Sequence, residues 1–274
     1  MFKIITWNIH NANQESPVWK LLLELQPDLV LLQEVGSIPE EIKKVFDILS
    51  KRAIKKTGNP QNFSTAVLVR GKIIKEISLK SEYEWVNREL KFFEGSFISC
   101  IVQLQNEEPA NVVSVHSPAW PVDKKRLKEI NISPLKLQGN PKIWGTEIIW
   151  SALKNTISNN EQWVVGGDYN SSETLDREWQ DKNGIKFRIR SSGNKEILDR
   201  MFDIGFTECL RKYNNKIIPT FKHPRGGIDH QIDHLFVTND LYSRLISCTV
   251  GDQSVIFGKS LSDHLPIMAD FNDK

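Results

Sequence analysis

The opening of the chain restricts the fold most, because strand and helix patterns alternate there. Residues 2–9 alternate in polarity and are rich in isoleucine, which predicts a strand. Ser16 and Pro17 then supply an N-cap and a first-turn proline. Val18, Leu21, Leu22 and Leu25 follow at helical spacing. Residues 29–32 are a continuous apolar run, as expected of a strand covered on both faces. Pro39 predicts the start of a second helix, reaching about Leu49. A β-α-β-α opening points to layered α/β architecture.

Further strands are predicted at 65–69, 73–77, 96–104, 112–116, 163–167, 217–221, 231–237, 246–250 and 265–271. Helical spacing recurs at 122–130, 145–157 and 196–204. Residues 171–195 are polar and aperiodic, and read as a surface excursion. With no repeat, linker or composition break, the expectation is one domain over residues 1–274, with two sheets packed together and helices outside.

At 39% hydrophobic and 26% charged residues, the chain can bury a sizeable core. The net charge of +2 says nothing about partners, but local charge does. Residues 51–80 hold eight Lys or Arg against one acid, Glu76, and residues 211–225 hold five against none. Such runs meet phosphates or are simply solvated faces. Cys100, Cys209 and Cys248 are odd in number and lack metal-ligand spacing, so they read as buried thiols in a reducing compartment. The first residues lack a leader pattern and no apolar run is long enough for a membrane span, so the expectation is a cytoplasmic protein without stable membrane association.

The chemistry lies where apolar segments end. Asp168 and Asn170 follow Gly166 and Gly167, and in extended backbone they share one face. Alone, this stretch reads best as a turn with an Asx cap. Asn8, Glu34, His116 and Asp233 stand at the ends of other apolar segments, and Ser262-Asp263-His264 precedes the last. Each has a dull explanation as a loop, edge or cap residue. Their repetition has none, and open α/β sheets collect their active sites at strand ends. Glu34 and Asp263 are hard oxygen ligands suited to Mg²⁺. Asp168 can take a proton from a water or orient it, with Asn170 beside it. His264 and His116 can donate to phosphate oxygens, and Asp233 can keep a histidine cationic. The chain lacks a zinc-type His/Cys cluster, a Gly-x-Ser-x-Gly elbow and a P-loop, which leaves metal-assisted hydrolysis by water.

Six segments in order resemble the endonuclease/exonuclease/phosphatase superfamily: Thr6-Trp7-Asn8-Ile9, Leu32-Gln33-Glu34-Val35, Ser114-Val115-His116, Gly167-Asp168-Tyr169-Asn170, Gln231-Ile232-Asp233-His234 and Ser262-Asp263-His264-Leu265-Pro266. The resemblance implies a four-layered α/β sandwich of two packed mixed β-sheets flanked by helices. It also implies a hydrolase that cleaves phosphoester bonds with Mg²⁺ or Mn²⁺. On that basis Glu34 matches the principal metal ligand, with Asp263 close by and Asn8 supporting the metal and water network. Asp168 matches the water-activating residue and Asn170 its partner at the phosphate. Asp233 and His264 match a hydrogen-bonded pair whose histidine contacts the scissile phosphate. His116 matches the histidine of the deoxyribonuclease, sphingomyelinase and phosphatase branches, where abasic-site endonucleases carry tyrosine. Ser171 and Ser172 depart from the inositol-polyphosphate signature. The two glycines are expected to let the strand end close beside metal and phosphate.

Substrate choice lies in loops. Trp120 between two prolines, with Lys222 and Arg225 near the Asp233 strand, suits stacked bases and a phosphate backbone. The expectation is a nuclease acting on DNA or RNA. The alternatives are a phosphatase or phospholipid phosphodiesterase, and an inactive binding module.

Overall fold

A computed structural model describes residues 1–105, 107–138, 140, 142–158, 161–176, 193–224, 227–228 and 230–274. Strand periodicity explains its layers. In β1 (Phe2–Ala12), Phe2 and Ile4 face one core, while Ile5, Trp7 and Ile9 face another. β2 (Leu29–Val35) splits likewise, with Leu29 and Leu31 inward and Val30 and Leu32 outward. β1 and β2 pair in parallel, and β4 (Pro60–Val69) and β3 (Asp47–Ile54) extend the sheet as a hairpin. On the other side lie β12 (Ile267–Phe271) and β11 (Leu245–Val250). The order of this first sheet is β11-β12-β1-β2-β4-β3.

The second sheet runs β5-β6-β7-β8-β10-β9. Its strands are β5 (Gly71–Glu76), β6 (Phe97–Leu104), β7 (Ala110–His116), β8 (Trp163–Asp168), β9 (Phe206–Glu208) and β10 (Asp233–Thr238). β7 and β8 are parallel, and the remaining neighbours are antiparallel. The sheets are therefore mixed. They pack face to face through Leu29, Leu31, Val67, Val112, Val164 and Leu235. Helices cover both outer faces. α1 (Val18–Glu24) buries Val18, Trp19 and Leu22 against the first sheet. α3 (Glu84–Phe92), α4 (Gly145–Thr156) and α5 (Asn194–Asp203) cover the second. This is the four-layered α/β sandwich.

Several predicted elements differ. The helix after Pro39, α2, spans only Glu40–Lys43, and residues 47–54 form β3 instead. Pairing of β3 with β4, not a local pattern, decides the structure of this stretch. Residues 124–129 form turns rather than a helix, and Val122, just before them, is buried. Residues 217–221 contribute isolated bridges from Phe221 to His230 and His264 rather than a strand. α1 begins at Val18, and Pro17 rather than Ser16 is its N-cap. α3 and β9 have no counterpart among the predicted elements. Part of the predicted 171–195 excursion, residues 177–192, lies outside the described residues. All three cysteines are buried and free. Among the described residues, no helix is long and apolar enough to cross a membrane.

Candidate active site

The inward rows of the inter-sheet core turn polar at one end of the sandwich. Alternation continues Phe2 and Ile4 into Thr6 and Asn8, and Val112 into Ser114 and His116. It continues Val164 into Gly166 and Asp168, and it brings Asp233 in beyond Leu235 and Val237. Asp168 and His116 are register partners, as are Asp233 and Asp168. Three carboxylate or imidazole groups thus stand side by side on adjacent strands.

Glu34 breaks its own alternation. It follows inward Gln33 and would face outward in a regular strand. Its φ is +51° and the β2 register shifts on both sides between Leu32 and Val35 and opposite Asn8 and Ala12. The irregularity re-aims the side chain. Glu34 Oε1 accepts from Asn8 Nδ2 (3.3 Å) and lies 3.6 Å from His116 Nε2. Glu34 Oε2 accepts from Asn11 Nδ2 (3.2 Å).

Asp168 sits at the centre. Its Oδ2 accepts from Asn8 Nδ2 (3.1 Å) and lies 3.9 Å from both His116 Nε2 and His264 Nε2. Its Oδ1 accepts the Asn170 backbone N–H (2.9 Å). Asn170 has φ +50°, and its side-chain Nδ2 donates to the Ser117 carbonyl (2.8 Å). Burial raises the Asp168 carboxyl above its usual range, against the opposing pull of the His264 and His116 imidazoles.

His264 Nδ1 lies 2.8 Å from Asp233 Oδ2, which also accepts from Thr220 Oγ1 (2.7 Å). Burial alone would lower the His264 imidazole, but the Asp233 and Asp168 carboxylates overcome it and raise it to about 10. The imidazole is therefore cationic at neutral pH. The segment carrying it is tied to β1 twice: Trp7 Nε1 donates to the His264 carbonyl (2.9 Å) and Ser262 Oγ to the Asn8 carbonyl (2.7 Å). Asp263 Oδ1 lies 3.1 Å from His10 Nδ1 and 4.0 Å from His264 Nε2.

Ligand atoms of Asp168, Asp233 and His264 lie within 4.8 Å of one another. Asp233 Oδ2 already accepts two hydrogen bonds, one of them from His264 itself, so this set is better suited to handling protons. Glu34 is different: it is partly exposed and held by two neutral amides, with no lysine or arginine opposing its charge among the described residues. Such an oxygen donor fits a hard divalent cation.

A cavity of about 300 Å³ opens over these groups, with Phe63, Trp120 and Phe221 in its wall. Trp120 therefore stands beside the predicted site residues. Lys222 does not line the cavity. Its backbone N–H donates to the Asp263 carbonyl (2.8 Å) and its ammonium lies 5.7 Å from the Phe257 ring centroid. Arg225 lies outside the described residues.

The glycines before Asp168 serve packing. A Cβ on Gly167, at φ +150°, would overlap the Val115 carbonyl oxygen, and one on Gly166 would crowd Leu31 and Leu235. They let strands and sheets approach each other. Tyr169 is buried in the outer core, as its alternation predicts. His10, Asn11 and Thr220 join the site without being predicted. The sequence signal for the first two is the polar run after Asn8, where His10 and Asn11 both take positive φ.

The endonuclease/exonuclease/phosphatase family model matches residues 5–264. No curated protein sequence matches the chain. Among solved structures, the chain is similar to an AP endonuclease from Archaeoglobus fulgidus (19% identity, TM-score 0.69, 99% of this chain and 100% of that chain). It is also similar to a 3′ phosphatase from Neisseria bound to a product DNA hairpin (16% identity, TM-score 0.68, 99% and 100%). A 3′-5′ exonuclease from Neisseria meningitidis matches over the same shares (17% identity, TM-score 0.66).

Proposed function

The chain belongs to the endonuclease/exonuclease/phosphatase family, and from that membership we propose that it is a divalent-metal-dependent phosphodiesterase acting on nucleic acid. The observation that carries this reading is the convergence of Asn8, Glu34, His116, Asp168, Asp233 and His264 through contacts of 3.9 Å or less.

Glu34 would hold the metal, with Asn8 and Asp263 beside it, and Mg²⁺ or Mn²⁺ is the ion proposed. When bound, the ion would polarise a phosphoryl oxygen and offset the charge that develops on it. Asp168 accepts the proton of the attacking water at Oδ2. Its burial makes it a stronger base than an exposed carboxylate. Asn170 holds Asp168 Oδ1 through its backbone N–H and keeps one side-chain N–H for a phosphate oxygen. His264, with Nδ1 directed at Asp233, has Nε2–H to donate to a non-bridging oxygen, and His116 donates from the opposite side of Asp168. Trp120 offers a face for a base next to the cleaved phosphate, and Lys222 and Arg225 are proposed for backbone phosphates. DNA is the favoured polymer, because a similar structure holds a DNA hairpin. The three buried free thiols fit a reducing, cytoplasmic setting.

A second reading is removal of a terminal phosphate. It is favoured by the single-nucleotide scale of the cavity and by the likeness to a 3′ phosphatase. A Mg²⁺ or Mn²⁺ cleavage panel tests both: single- and double-stranded DNA, RNA, abasic DNA, 3′-phosphorylated oligonucleotides, phosphoinositides and sphingomyelin. Internal or terminal nucleotide release supports the first reading, and phosphate release alone the second. Release only from a lipid would refute both.

A further inference from the structure

Behind the site lies a buried ionic group that the proposed chemistry does not use. Alternation along β10 sends Asp233 inward and His234 to the outer face, where its ring meets Tyr169 edge-on (5.5 Å) and stacks on Phe236 (5.7 Å). His234 Nε2 lies 2.9 Å from the Ser171 carbonyl oxygen, and its Nδ1 lies 2.6 Å from Glu208 Oε1. A carbonyl only accepts, so Nε2 carries a proton. Glu208 is held as a carboxylate by Arg211 Nε (2.9 Å) and Gln231 Nε2 (2.5 Å), so Nδ1 donates too.

We propose that His234 is a positioning residue, a doubly protonated imidazolium that ties the Ser171 carbonyl to Glu208 and so fixes the turn carrying Asp168 and Asn170. The proposal rests on the reading that those two residues act at the phosphate. Among the described residues, three further hydrogen bonds tie the turn to its neighbours: Tyr169 N–H to the Ile232 carbonyl (2.9 Å), Ser117 N–H to the Asp168 carbonyl (2.8 Å) and Asn170 Nδ2 to the Ser117 carbonyl. All of them act at or before Asn170. The His234 bond alone in this group holds the residue after it. The charged and titratable groups around the ring are Glu208, Arg211, Asp233 and Tyr169. Burial lowers the His234 imidazole, but Glu208 overcomes this and raises it, in keeping with the doubly donating geometry.

Two amide variants separate positioning from support of the fold. His234→Gln keeps a donor near Nε2 and thus the Ser171 bond. His234→Asn keeps a donor near Nδ1 and loses that bond. The expected result is a kcat lower by about 100-fold in His234→Asn, with KM changed less than about threefold, while His234→Gln stays within about fivefold of the parent. Equal losses in the two variants, or losses that follow their melting temperatures, would overturn the proposal. Nitrogen NMR of the unsubstituted protein gives an independent reading: both ring nitrogens of His234 should be protonated at neutral pH. A neutral imidazole there would overturn it whether or not any substrate is cleaved. Failure of the parent protein to cleave any phosphoester would count against the proposed function alone.

Discussion

Glu147 gives the sharpest quantitative test of the fold. It stands in the first turn of α4, where Oε2 accepts from the Trp144 backbone N–H (3.3 Å) and from Thr146 Oγ1 (2.8 Å). Its other oxygen is buried without a partner among the described residues. Burial raises the carboxyl from 4.5 to about 7, against the hydrogen bonds from Thr146 and the backbone and the Arg200 charge. A carboxyl raised on folding favours the neutral form in the folded state. The native state is therefore most favoured below the unfolded value and loses stability as pH rises from about 4.5 towards 7. A shift of this size corresponds to about 3 kcal/mol in full, most of which falls between about pH 5 and pH 8. Glu147→Gln removes the titration and keeps an acceptor for Thr146 and Trp144. Urea unfolding of both proteins across that range should show the variant gaining relative to the parent by about 2 to 3 kcal/mol. At an m-value of about 3 kcal/mol/M this is a relative midpoint shift of up to about 1 M. Taking the difference cancels titrations common to both proteins. A difference that does not change with pH would refute the reasoning, because it would mean that Glu147 ionises alike in both states.

Four further outcomes follow from the site. Asp168→Asn should lower kcat by about three orders of magnitude or more with substrate binding retained, as read by single-turnover cleavage and a gel-shift titration. Near-parental turnover would remove Asp168 from the chemistry. Glu34→Gln should raise the Mg²⁺ concentration needed for half-maximal activity by at least about tenfold, and an unchanged titration would count against Glu34 as the metal holder. Asp233→Asn should lower the His264 imidazole, so the loss of activity on the alkaline side should move down by about one to three pH units; an unmoved alkaline limb would exclude the pair from catalysis. Gly167→Ala should destabilise the fold by at least about 3 kcal/mol through its overlap with the Val115 carbonyl, measured by urea unfolding.

The local pattern reveals the site where alternation is regular. Asn8, His116, Asp168 and Asp233 are legible as site candidates because each extends an inward row of side chains that the core would otherwise fill with apolar residues. Their pairing across β7, β8 and β10 adds only the register. The helices are less legible. Residues 47–54 carry no periodicity that separates a strand from a helix tail, and only the hairpin with β4 decides the matter. Val122 has helical spacing with its neighbours but is buried just ahead of a run of turns at 124–129.

For Glu34 the local pattern marks the candidate but not its aim, and for His234 it does not mark the charge. Regular alternation points Glu34 away from the site, and only a register irregularity shared with two neighbouring strands turns it towards Asn8 and His116. His234 reads as an ordinary histidine within an apolar strand. It becomes a charged group only because Glu208, 26 residues earlier in the chain, arrives at β9 beside it, already held by Arg211. Both cases place long-range pairing, not composition, in control of charge. The inward face of β8 and β10 carries the groups proposed to meet the phosphate, and the outer face carries an ion pair isolated from solvent. A substrate that leaves the inner face unchanged in its hydrogen bonds should therefore leave the His234 nitrogen signals unchanged too. If binding a non-cleavable DNA analogue shifts them, the turn after Asn170 moves on binding, and the two faces are mechanically coupled through Ser171.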